Sequence, residues 1–358
     1  MIYTAKFISK ISIHVGLIFL LLILGCQREL SRPKSYDITC YAATYGKGVY
    51  RSDNGGISWF PVDTDQKDIY AYFKRIYLSP DNKDLLYVTT TGAGLFLFEL
   101  RTRELEGVGK FRDSIITSIA FKDIPTVQQG KNKVLVAGNK IGIFETQNEF
   151  EAWHPSNNGL TYRDVNVLLT RGEDLFAGTA KDLFKRGETS KQWMAASEGI
   201  KNKNILSIDF DPQDKILYAG SGPYEGEKGR FEDIPCLYKS TDQGRTWVAS
   251  DEGIQEGTLI YIICVNPIKP ERIYLGTSNG IFLSTNSGKR WEKMENGLPR
   301  GLKLFDIKIA RMSDNMDLVY AAGSKGVFMT IDNDNTLWLN KSYGLERTAI
   351  TSIVLLPD

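Results

Sequence analysis

The sequence predicts an all-β chain folded as a single seven-bladed β-propeller, with its last strand completing the blade that its first strand begins. Three observations carry this expectation. First, an apolar-aromatic pair, usually behind a glycine, recurs at Gly48-Val49-Tyr50, Gly94-Leu95-Phe96, Gly142-Ile143-Phe144, Asp182-Leu183-Phe184, Cys236-Leu237-Tyr238, Gly280-Ile281-Phe282 and Gly326-Val327-Phe328. That interval of roughly 40 to 50 residues is the size of one four-stranded repeat unit. Second, all six tryptophans (Trp59, Trp153, Trp193, Trp247, Trp291, Trp338) close a short hairpin motif, one in each repeat but the second. Third, five of them are followed by a glycine-aliphatic pair: Gly159-Leu160, Gly199-Ile200, Gly253-Ile254, Gly297-Leu298 and Gly344-Leu345. Placement this regular is structural.

Taken in order, the chain opens with Lys6 and Lys10, then an apolar run from Ile11 to Leu24 broken only by Ser12, His14 and Gly16. The run is short for a spanning helix and suits the apolar region of a secretory signal. It ends Ile23-Leu24-Gly25-Cys26, which resembles the lipobox of bacterial lipoproteins. By that resemblance residues 1–25 are a signal peptide and Cys26 is the lipidated first residue of the mature chain. Gln27 in place of Asp favours the outer membrane in a double-membraned bacterium, so the expected location is membrane-anchored, on the periplasmic or outer-membrane side. The other reading is an uncleaved anchor helix with an incidental Cys. Residues 26–36 are polar, charged and carry Pro33, as a tether should.

From residue 37 to 358 each repeat supplies four strand-like runs. A β-rich run such as Tyr41-Ala42-Ala43-Thr44 or Leu217-Tyr218-Ala219 precedes each apolar-aromatic pair, and the two read as a hairpin. The Trp-bearing motif forms the outer edge, and a run often ending in Pro, such as Phe73 to Pro80 or Ile260 to Pro267, forms the strand next to the axis. The chain therefore starts at a second strand and ends at an unpartnered innermost one, Ile350 to Pro357. The two must meet in one blade, leaving no raw edge.

The hairpin motif is clearest at Ser240 to Trp247 (STDQGRTW), where Ser240, Asp242, Gly244 and Trp247 fit Ser-x-Asp-x-Gly-x-Thr-Trp. Ser52, Asn54, Gly56 and Trp59 repeat it, as do Ser284, Asn286, Gly288 and Trp291, with Asn in the Asp place. Asn148 keeps an amide in the third repeat. The second and fourth have lost the pattern, and the seventh, Thr330 to Trp338, has one extra residue. In this hairpin the Asp or Asn side chain is expected to cap backbone amides and the glycine to take a positive φ. These features resemble the BNR or Asp-box propellers, the group that includes sortilin-type propellers, Ycf48-like assembly factors and, more remotely, xyloglucanases and sialidases. The resemblance runs from Tyr36 to Asp358. It implies a fold far more than a function, because one scaffold hosts enzymes, receptors and assembly factors.

Composition narrows the chemistry. Lys plus Arg total 44 against 43 for Asp plus Glu, so no net field draws the chain to nucleic acid. The two histidines are His14 and His154, and only the second survives signal removal, which excludes a multi-histidine metal site. The Arg-Ile-Pro element typical of the start of sialidases is absent. A pair of hydrolytic carboxylates on facing loops stays open, since a sequence does not report their separation. Asp332-Asn333-Asp334-Asn335-Thr336 looks like the start of a calcium loop but lacks its glycine and closing Glu, and a drifted hairpin explains it better. Cys40, Cys236 and Cys264 remain after lipidation: one disulfide, most plausibly Cys236 to Cys264, and unpaired buried thiols are equally compatible.

Two features are candidates for recognition. The segment Ser221 to Pro235 is long for such a fold and carries Tyr224, Arg230 and Phe231; it is either a binding loop or a tolerated insertion. Basic residues recur near the start of the innermost strands: Lys74, Arg75, Arg112, Arg163, Lys201, Lys203, Arg300, Lys303 and Arg347. Of these, Arg163, Lys203, Arg300 and Arg347 are candidates for a positive collar, though Asp113, Asp164 and Glu346 beside them favour a merely solvated rim. The function expected is a lipid-anchored, monomeric, non-enzymatic platform for a protein or glycan partner, without cofactor or metal. The alternative is a glycoside hydrolase.

Overall fold

Each repeat folds into one antiparallel sheet of four strands, ordered innermost, second, third, outermost. The computed structural model describes residues 38–62, 72–122, 133–138, 140–146, 152–187, 190–213, 216–223, 234–312, 316–333, 336–345 and 347–357. The expectations placed on the signal, on Cys26 and its tether, on Asn148, on Asp334 and Asn335, on Glu346, and on Tyr224, Arg230 and Phe231 fall outside these residues. The innermost strands are Phe73–Leu78, Ile116–Lys122, Val165–Arg171, Ile205–Phe210, Ile260–Val265, Leu304–Arg311 and Ile350–Pro357, one for each of seven sheets. Each packs beside the next around a common axis, with Ile350–Pro357 between Leu304–Arg311 and Phe73–Leu78. The fold is an all-β propeller.

Closure is made by the two ends of the chain. Ile350–Pro357 pairs antiparallel with Ile38–Thr44, matching Ile38 to Pro357, Cys40 to Leu355 and Ala42 to Ile353. The first sheet is thus assembled from segments some three hundred residues apart, and the edge of Ile38–Thr44 is covered.

The hydrophobic core is divided among the clefts between successive sheets. Second strands such as Leu217–Ser221 and Ile273–Thr277 are buried along their whole length because a sheet covers each of their faces. Outermost strands are two or three residues long, which leaves little edge for pairing with another chain. The tryptophans and their trailing glycines join one sheet to the next. The indole N–H of Trp193 donates to Ser156 O, Trp247 to Ala196 O, Trp291 to Ser250 O and Trp59 to Lys341 O, at 2.6–2.8 Å. In each case the acceptor belongs to the preceding sheet. Gly159, Gly199, Gly253, Gly297 and Gly344 lie with positive φ beneath the backbone of the next tryptophan. A Cβ on Gly199 would stand 2.1 Å from Trp247 O, so no other residue fits. In the second sheet Leu105 takes the tryptophan's place: Phe96 faces Gly107, two residues past Leu105, as Phe282 faces Lys293, two past Trp291.

The three hairpins share one hydrogen-bond pattern. Gly244 N donates to Ser240 Oγ at 2.9 Å, and Arg245 N and Thr246 N donate to Asp242 Oδ1 at 3.0 and 2.9 Å. The Thr246 hydroxyl adds a bond to Asp242 Oδ2 at 2.6 Å, and these donors hold the Asp242 carboxyl well below the usual range. Asn54 and Asn286 accept from Ser58 N and Arg290 N in the same way, both at 3.0 Å. Gly56, Gly244 and Gly288 take φ of +81°, +81° and +77°. Each hairpin rests on an aromatic ring of the preceding sheet: Tyr320 and Tyr218 donate their hydroxyls to Gly55 O and Ser287 O, both at 3.1 Å. In the seventh sheet the extra residue changes this contact. There Asp332 turns inward and is held by Arg272 Nε at 2.5 Å, the Tyr274 hydroxyl at 2.6 Å and Asn266 Nδ2 at 2.7 Å.

The disulfide is not formed. All three described thiols are free, and Cys236 and Cys264 cannot meet, because Cys236 lies in the core between the fifth and sixth sheets and Cys264 in that between the sixth and seventh. The sixth sheet separates them. Burial pushes the Cys40 and Cys236 thiols up to about 12, with Asp53 and Asp251 adding to it.

Candidate functional site at the axial mouth

Every innermost strand begins with the same irregularity. Its first residue pairs with the second strand, its second residue is skipped, and pairing resumes at the third: Phe73 then Arg75, Ile116 then Ser118, Val165 then Val167, Ile205 then Ser207, Ile260 then Ile262, Leu304 then Asp306. In the closing strand the register skips from Ile350 to Ser352. A β-bulge of this kind re-aims the extra residue out of the sheet. Those skipped residues, Lys74, Thr117, Asn166, Leu206, Tyr261, Phe305 and Thr351, line one cavity of about 360 Å³ on the axis. Tyr45, from the turn after Ile38–Thr44, and Phe73 complete its apolar wall. A lobe that shares Lys74, Thr117, Asn166, Leu206 and Tyr261 extends outward over Ile115, Asp164, Ala180, Asn204, Leu259 and Pro223. Pro223, in that lobe, is the last described residue before the segment with Tyr224, Arg230 and Phe231, which lies outside the described residues.

Most polar groups in the ring are already bonded. Thr117 Oγ1 donates to Val165 O at 2.6 Å, Asn166 Nδ2 to Ile205 O at 2.9 Å, and Thr351 Oγ1 to Ala43 O at 3.2 Å. The rings of Tyr261 and Phe305 stand 5.7 Å apart. Lys74 differs: among the described residues its ammonium has no hydrogen-bond or carboxylate partner. Burial, and then the charge of Arg75, draws its pKa down to about 8.

Below the aromatic ring the axis is polar. Asp306 bonds Lys308 Nζ at 2.8 Å, the Ser352 hydroxyl at 2.7 Å and Ile353 N at 3.0 Å. Burial pushes Asp306 up, but Lys308 and then Arg75 outweigh it and hold the carboxyl below its usual range. The charge of Arg75 is thus opposed by that of Asp306. Asp209 accepts from Val265 N at 2.8 Å and Phe210 N at 2.9 Å, yet burial raises its pKa to about 6.

The four collar cations do not converge on this cavity. Arg163, Lys203, Arg300 and Arg347 are all exposed. Lys203 pairs with Asp182 at 3.6 Å, and Arg300 lines a separate shallow pocket with Lys293 and Asn279. Only Lys74 and Arg75 of the basic residues singled out line the mouth, because they lie within a strand and the others in the loops before one. His154 is exposed on an outermost strand. Among the described residues no group of three His, Cys, Asp or Glu side chains is placed to hold a metal.

Apart from Lys74, the wall residues escaped the sequence reading. Their signal is a break in strand periodicity: the first and fourth residues of each innermost strand are buried, such as Ile260 with Ile263 and Leu304 with Ile307, where regular alternation would bury the first and third.

A chain with this fold is a β-propeller, here with an open axial mouth. No protein-family model and no curated protein matches it in sequence. Solved propellers of similar structure include an ancestral GH74 enzyme, with a TM-score of 0.65 and 18% identity, covering 87% of this chain and 45% of that one. The extracellular domain of a putative one component system from B. thetaiotaomicron gives 0.60 and 12%, over 89% of this chain and 46% of the other. YCF48 bound to D1 peptide gives 0.53 and 16%, over 79% and 92%. The chain spans less than half the length of the first two. At these identities the likeness is one of fold.

Proposed function

We propose that this chain is a lipid-anchored, extracytoplasmic, seven-bladed propeller that binds a protein partner at its axial mouth without hydrolysing it. The observation that carries this reading is the convergence of seven bulged residues on one half-open cavity whose described lining joins an apolar and aromatic side to the polar Thr117, Asn166 and Thr351 and the cations Lys74 and Arg75, with Asp164 as its acidic side chain. Convergent side chains from separate elements in a concave, mostly apolar site are the usual mark of a binding pocket. YCF48, a propeller of comparable size, is seen with a peptide bound, which supports a protein segment as the occupant. A hydrolase would need two carboxylates about 5 to 10 Å apart across the cavity. Similarity to GH74 enzymes supports that second reading through fold alone.

The test is capture of envelope proteins and peptides on immobilised mature chain, with Tyr261→Ala and Phe305→Ala as controls and xyloglucan as a challenge substrate. Partners retained by the wild type and lost by both variants support the proposal. Undiminished capture by the variants, or release of reducing sugar, overturns it. Lipid anchoring at Cys26 is checked separately by labelled fatty acid, which the wild type should incorporate and Cys26→Ala should not.

A further inference from the structure

We infer that the axial mouth receives an apolar group bearing a single carboxylate, and that Lys74 supplies its counter-charge. This deepens the proposed function and rests on the mouth being the binding site.

The argument is one of elimination around the ring. Thr117, Asn166 and Thr351 spend their donors on neighbouring backbone carbonyls. Arg75 also lines the cavity, but its charge is opposed by that of Asp306, the carboxyl that Lys308 and Ser352 bond. Lys74 is left as the lining cation with neither an acceptor nor an opposing carboxylate among the described residues, beside the apolar side of the wall made by Tyr45, Phe73, Leu206, Tyr261, Phe305 and Ala349. A charge so placed weakens the fold unless something pairs with it. The same cost draws its pKa down. An apolar carboxylate removes that cost and covers the aromatic wall at once. A neutral apolar group would leave the ammonium unpaired. A dianion would bring a second charge toward Asp164 at the side, with Arg75, whose charge Asp306 already opposes, as the other lining cation. The cavity, at about 360 Å³, lies within the range that buries small apolar ligands, about 300–1,000 Å³.

The carboxylate could belong to a free acid or to the C-terminus of a peptide with an apolar last residue. The experiment separates them with four probes: 3-phenylpropionate and its amide, and a short peptide ending in Phe with a free or an amidated C-terminus. Binding is read by calorimetry on the mature chain at neutral pH. Either acid binding at least about tenfold tighter than its amide, a difference lost in Lys74→Met and kept in Lys74→Arg, supports the inference; the acid that binds names the source. Acid and amide bound alike, or discrimination that survives Lys74→Met in a variant whose circular dichroism shows it folded, overturns the inference while leaving the mouth as a site. Binding of none of the four overturns it as well. The capture experiment above then decides the wider reading independently.

Discussion

Gly199, Lys74 and Asp209 show how much a single position decides here. At Gly199 a positive φ of 90° coincides with a backbone oxygen 2.1 Å from where a Cβ would sit. Gly199→Ala therefore has neither a permitted backbone conformation nor space, and should cost at least ~2 kcal/mol in urea unfolding. Gly257, with a positive φ but nothing around it, should lose less on the same change. Lys74 acts in the opposite direction. Its folded pKa of about 8 lies below its ordinary 10.5, so the folded chain binds fewer protons than the unfolded one between those values. The penalty is full below about 8 and fades as pH rises toward 10.5. Lys74→Met should thus raise the thermal midpoint at pH 7, by roughly 2 °C after allowing for solvent at the mouth, and the gap should close at high pH. Asp209 is shifted upward, to about 6, so its folded form holds a proton that the unfolded form has released. Its contribution is favourable in acid and declines as pH rises from about 4 to 6. Following stability against pH for Asp209→Asn should show that decline removed.

At the scale of the element, the hairpins test whether charge or shape matters. Asn54 and Asn286 accept the same backbone donors as Asp242, and Asn54 Nδ2 also donates to Ser58 Oγ at 2.9 Å. Asp242→Asn can reproduce that pattern with Thr246, so it should shift the urea midpoint little, whereas Asp242→Ala leaves two backbone donors uncapped and should shift it clearly more. The carboxyl of Asp242 is held low, so its stabilisation is present at neutral pH and is lost only as pH falls below the ordinary Asp value. Acid unfolding should therefore begin at lower pH for Asp242→Asn, which has no proton to take up there. The innermost strands carry the other element-level device. One bulge per strand turns a residue out of the sheet without disturbing the cleft cores on either face, so the wall of the mouth can vary while the fold does not.

At the scale of the molecule, stability depends on closure. Because Ile350–Pro357 covers the edge of Ile38–Thr44 and packs between two other innermost strands, a chain ending before Ile350 should lose cooperative unfolding and aggregate through the bared edge. The converse is also testable. Ile38 and Pro357 are register partners, so joining them by a short turn and opening the chain in another loop turns the closing contact into a local hairpin. Such a permutant should unfold in one calorimetric transition, at a temperature no lower than the parent, because the loop to be closed is shorter.

What the sequence by itself determined is everything that repeats: the four-run unit, the tryptophans and glycines that join one sheet to the next, and the need for Ile350 to Pro357 to complete the first sheet. These are local demands, since an indole that no single hairpin can bury, or a glycine under a neighbour's carbonyl, must recur wherever the same sheet recurs. What only the tertiary structure decided is everything that does not repeat. Lys74, Thr117, Asn166, Leu206, Tyr261, Phe305 and Thr351 are of six residue types and stand far apart in the chain, and only the ring brings them to one wall. The same geometry put Cys236 and Cys264 on opposite sides of a sheet and left Arg163, Lys203, Arg300 and Arg347 outside the cavity. A strand's pleat sets which way each residue points, but one skipped residue reverses that direction, and which residues then meet is decided by the closure of the ring.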